Sequence, residues 1–67
     1  MDIGKSIRIA LAERNERQTW LAKQMGCSRG YVNRLSNGGV VPGGKTIETI
    51  ADIFGMSVSE FIALGEG

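Results

Sequence analysis

Apolar residues return along this chain every three or four positions, and no stretch alternates apolar with polar residues for long, so the pattern is that of amphipathic helices. Ile3, Ile7, Ala10 and Leu11 form one stripe that runs on to Arg14, with Asp2 placed to cap its start and Asn15 to close its end in a left-handed conformation. This predicts a first helix over 3–14. A second, over 18–25, turns Gln18, Leu21, Ala22 and Met25 to one side, and Gly26 supplies the positive φ that ends it. A third follows at once: Ser28 is its N-cap, Val32 and Leu35 point inward, and Asn37-Gly38 stops it. Residues 36–45, SNGGVVPGGK, hold four glycines and the sole proline, which predicts a loop. A fourth helix over 46–54 buries Ile47, Ile50, Ala51 and Phe54 and ends at Gly55. The fifth has a capping box at its start, Ser57 with Glu60 three residues on, followed by Phe61, Ile62 and Leu64. The expected fold class is all-α, a compact bundle of five short helices in one domain spanning 1–67.

Composition narrows the function. A chain of 67 residues with 42% apolar content is near the lower size limit for a self-sufficient core. No run is pure enough to span a bilayer, and the N-terminus lacks a secretory pattern, so a cytoplasmic protein is expected, with no membrane partner. One cysteine and no histidine leave no zinc set and no thiol–imidazole pair, so neither an enzyme nor a cofactor, metal or small-molecule ligand is expected. The net charge is only +1, but its distribution is lopsided. Residues 1–45 hold all eight bases against Asp2, Glu13 and Glu16, a net of +5, whereas Glu48, Asp52, Glu60 and Glu66 stand alone in the remainder. Such a split suits one face that meets a polyanion and another that does not.

Two short helices that cross closely need a small residue at the crossing, a positive-φ residue at the turn and apolar anchors beyond it. Ala22, Gly26, Val32 and Leu35 supply these in order. On a wheel with Arg29 at the origin, Asn33, Asn37, Gly30 and Arg34 fall at roughly 40°, 80°, 100° and 140°, and Val32 and Leu35 near 300° and 240°. One side of the third helix is therefore polar and donor-bearing. Arginine can grip guanine and asparagine adenine with two bonds each, and Gly30 lets backbone approach a base edge.

With Ile3-Gly4 through Leu11, Gln18-x-x-Leu21-Ala22, Gly26-x-Ser28-Arg29 to Leu35-x-Asn37-Gly38, and Gly55-Met56-Ser57-Val58 to Phe61, nearly the whole chain resembles the Cro/C1-type helix-turn-helix family of phage and bacterial transcriptional regulators. The resemblance implies a lambda-repressor-like domain whose third helix enters the major groove of double-stranded DNA, with two subunits reading a palindromic operator. It implies a repressor. By it, Gln18 bonds the DNA backbone or supports a base contact, Ser28, Arg29, Gly30, Asn33 and Arg34 are the outward positions of the third helix, and Asn37 precedes its terminal glycine. The chain departs from relatives in three places. Glu16 and Arg17 stand where an apolar residue and a small polar cap are usual. Leu11 and Ser36 occupy the positions of a frequent buried ion pair, which implies a neutral contact there. Extra glycines follow Pro42. The match suits either an intact Cro-like protein or the DNA-binding part of a longer repressor.

Other residues carry two readings. Tyr31 sits on the border of the faces, its hydroxyl reaching a phosphate or its ring simply packing. Lys23, Arg14, Arg17 and Lys45 are phosphate partners or solvated charges. Trp20 and Ile9 lie off their helices' inner stripes and either cover each other or form a partner surface. Cys27 is a small buried residue or a redox sensor. Phe61 and Leu64 complete the core or are shared with a second copy, and a homodimer through the fifth-helix region is the expectation. The rival to DNA regulation is a protein-interaction module, such as an antitoxin-like partner, in which DNA contact is secondary.

Overall fold

The computed structural model describes residues 2–66. Five helices follow in order: α1 (Ile3–Glu13), α2 (Gln18–Met25), α3 (Arg29–Ser36), α4 (Gly44–Ile53) and α5 (Val58–Glu66). Their ends obey the local chemistry of the sequence. The Asp2 carboxylate accepts from the Lys5 amide at 3.0 Å, and Asn15 takes φ +56 just past α1. Gly26 ends α2 at φ +69. At α5 the box closes both ways: Glu60 N–H donates to Ser57 Oγ at 3.1 Å, and Ser57 N–H donates to the Glu60 carboxylate at 2.9 Å.

One core joins the helices. Ile3, Ile7, Ala10 and Leu11 of α1 meet Leu21 and Ala22 of α2, Val32 and Leu35 of α3, Ile47, Ile50 and Ala51 of α4, and Phe54 and Phe61. α1 runs through the middle, packed against α3 and α5, and two glycines let the backbones close in. A Cβ on Gly4 would lie 2.6 Å from the Ser36 carbonyl oxygen, and one on Gly65 would lie 2.2 Å from that of Asp2. Ser6 Oγ adds a bond from α1 to the Ile62 carbonyl of α5 at 3.4 Å. α3 is thereby held by α1 on its inner side and by α2 across the turn.

Two expectations need correction, and two open readings narrow. The loop reaches only to Gly43, because α4 starts two residues earlier than the glycine content implies. Gly43 is its N-cap, and Ile47 N–H bonds back to the Gly43 carbonyl at 3.0 Å. A first-turn residue has an N–H that points out of the helix and a neighbour on one side only, so glycine costs little there. Arg14 leaves the inner stripe of α1 as its C-cap and lies exposed, its guanidinium 5.0 Å from the centre of the Trp20 ring. Phe61 has no exposure and stacks on Phe54 at 6.3 Å, so it completes this chain's own core and is not open to a second copy, whereas Leu64 is half-buried. Trp20, in turn, is half-buried over Phe54, with ring centres 5.8 Å apart. Trp20 is thus covered by Phe54 at the end of α4 and by Arg14.

Candidate nucleic-acid interface

The turn between α2 and α3 is three residues long. Gly26 bends the chain, Cys27 N–H donates to the Ala22 carbonyl at 3.0 Å, and Ser28 Oγ accepts from the Tyr31 amide at 3.2 Å to start α3. Cys27 is half-buried against the core. Val32 and Leu35, 0% and 1% exposed, anchor the inner side of α3, and its other side is left in solvent. The helix is therefore fixed by its apolar half and presents its polar half.

On that outer side Ser28, Arg29, Gly30, Asn33, Arg34 and Asn37 are all exposed. Ser28, Arg29, Gly30 and Asn33 gather with Gln18 and Thr19 around one shallow hollow where the starts of α2 and α3 face each other. Asn37 joins through hydrogen bonds: its Nδ2 donates to Asn33 Oδ1 at 3.1 Å, and Asn33 Nδ2 donates to Gln18 Oε1 at 3.4 Å. Two of the sequence-predicted residues stand apart. Arg34 sits at the far end of α3, where its carbonyl accepts from Gly39 N–H at 2.8 Å, and Tyr31 is half-buried with its ring against the core. Arg14, Arg17, Lys23 and Lys45 are exposed.

Sequence reasoning passed over two contributors. Thr19 is exposed and lines the hollow beside Gln18, and its place directly after Gln18 at the start of α2 is the sequence signal for it. The other is Arg8. In place of a purely neutral Leu11–Ser36 contact, both of those residues are buried and the Arg8 guanidinium on α1 donates to the Ser36 carbonyl at the end of α3. Arg8 follows Gly4 by four residues, hence lies on the same side of α1, the side pressed against α3. The Ser36 hydroxyl itself is buried without a partner.

No helix among the described residues is long and apolar enough to cross a membrane. Neither a curated protein nor a solved structure matches the chain significantly. The family model of the Cro/C1-type HTH DNA-binding domain, however, matches residues 6–65, from the fourth residue of α1 to the last but one of α5. With α2 and α3 propped as described and that match covering most of its length, the chain belongs to the Cro/C1-type helix-turn-helix family of DNA-binding domains.

Proposed function

We propose that this DNA-binding domain reads sequence, acting as a repressor that occupies a palindromic operator as a homodimer with α3 of each copy in the major groove. The observation that carries this reading is the hollow between α2 and α3 formed by Gln18, Thr19, Ser28, Arg29, Gly30 and Asn33, its α3 residues exposed on a helix whose opposite side is locked into the core. Arg29 has the fork that pairs with guanine, Asn33 and Asn37 have amides suited to adenine, and Arg34 and Tyr31 flank them toward the sugar–phosphate strand. The uncapped start of α2, with Gln18 at its head, suits a phosphate.

Size supports two copies. The domain measures 26 × 23 × 19 Å, and successive major-groove faces of a duplex lie about 34 Å apart, so one copy covers one half-site. Because Phe61 is taken up internally, the second copy would meet the half-buried Ile62 and Leu64 and the exposed Val58 of α5. Selection of bound duplexes from a random pool tests the whole reading. Inverted repeats with half-site centres roughly 10 base pairs apart are the expected result. Enrichment of a single unpaired half-site would remove the dimer, and no enrichment would remove sequence reading altogether.

A further inference from the structure

We infer that the segment between α3 and α4 carries a self-complementary contact for a second copy of this chain, with Val41 of each copy seated in the apolar hollow beside Val41 of the other. The inference rests on the reading that two copies share one operator. It comes from a projection and a recess that lie side by side. Val41 is 91% exposed, against 37% for Val58. It borders a hollow of about 190 Å³ walled by Ile3, Leu35, Val40, Pro42 and Ile47, ample for the three carbons of an isopropyl group.

Val41 does not fill the hollow of its own chain, and the backbone explains why. The ring of Pro42 fixes its own φ and holds the residue before it in extended conformations, and side chains along an extended segment point alternately to opposite sides. Val40 is half-buried and Pro42 buried, so Val41 between them is turned outward. Gly38, at φ +77, brings no side chain to the recess either. The hollow therefore stays open beside a valine that cannot enter it.

A two-fold axis joins two copies through the same patch, so such a patch needs both a projection and a recess of its own. This one has both. Residues 35–44 contain no charged side chain, so two copies bring no like charges together there, and the segment has no cation with which to hold a phosphate instead. The hollow also continues the surface assigned above to the second copy, because Gly65 of α5, next to the half-buried Leu64, lies against the carbonyl of Asp2, which lines the hollow. Stable complexes bury roughly 1,200–2,000 Å², far more than two valines and their recesses supply. The contact thus acts when a duplex already holds both copies close together and raises their effective concentration.

Titrations of the full chain against a duplex holding the selected inverted repeat, and against one holding a single half-site, test the contact. In the wild type the second copy is expected to bind the repeat roughly 5- to 150-fold more tightly than the first, by a factor that salt leaves nearly unchanged while total affinity falls. Val41→Ser should bring that factor close to one and Val41→Ile should keep it, both with the wild-type melting temperature and the wild-type affinity for the single half-site. In methyl spectra, the resonances of Ile3 and Ile47 should shift when the second half-site fills and not when the first does. Unchanged cooperativity in Val41→Ser overturns the inference and leaves a dimer through α5 intact. Equal losses of affinity on the single half-site and on the repeat in Val41→Ser also overturn it, since Val41 then touches DNA. A wild type that fills two half-sites independently, or selects no inverted repeat, overturns both this inference and the two-copy reading beneath it.

Discussion

Three glycines divide sharply in what a methyl group would do. At Gly4 the added Cβ meets the backbone of Ser36 and Leu35, which cannot swing aside, so α1 and α3 would have to separate. Gly4→Ala is expected to destabilise the fold by about 1–3 kcal/mol, seen as a lower urea midpoint with an unchanged slope. Gly65→Ala, against the Asp2 carbonyl and Ser6 Oγ, should behave alike. At Gly30 the nearest foreign atom to a Cβ is Ser28 Oγ at 3.9 Å, and the residue lies in the first turn of α3. The fold has no use for a glycine there. Gly30→Ala should therefore leave the melting temperature unchanged or raise it, yet lower the affinity for the selected operator, a split that thermal melts and titrations of one protein sample would expose. The open surface at Gly30 was legible from its wheel position. The tight contacts of Gly4 and Gly65 were not, because nothing in a helical periodicity says which two backbones will meet.

Among the elements, α5 shows how far end chemistry alone determines a boundary. Bonds from the Ser57 backbone and hydroxyl hold the Glu60 carboxyl below its ordinary value of 4.5, with only a small opposing effect of burial. A lowered value in the folded state means that the contribution is complete above the unfolded value and is lost as the pH falls through the folded one. Amide exchange of α5 should accelerate relative to α1 in that acid range, and Glu60→Gln should abolish the pH dependence. Ser57→Ala removes the other half of the box and is expected to cost about 1 kcal/mol. Four of the five helix starts were readable from caps and spacing. The start of α4 was not, since its glycines signal loop in isolation and become acceptable only once the buried Pro42 and Ile47 fix the chain around Gly43 and Gly44.

Over the whole molecule, charge and exposure act together. The eight bases run from α1 through α3 to Lys45 at the start of α4, and Glu48, Asp52, Glu60 and Glu66 follow in α4 and α5 with no base among them, so the domain should approach a duplex with a preferred side leading. Lys23→Ala is expected to weaken binding to all sequences alike and to reduce the salt slope by about one, whereas Arg29→Ala should relax one base position per half-site. The sequence made the helix-turn-helix legible because cap, turn and anchors are local. The Gln18–Asn33–Asn37 chain and the Arg8 link were hidden, being made between helices whose relative placement only the packed core determines. That core also places Trp20, the single tryptophan, between the Arg14 guanidinium and Phe54. The protein consequently carries a built-in optical gauge: ultraviolet emission from this one indole follows the docking of the second helix on the fourth, so loosening of that seam can be watched in dilute solution with no label attached.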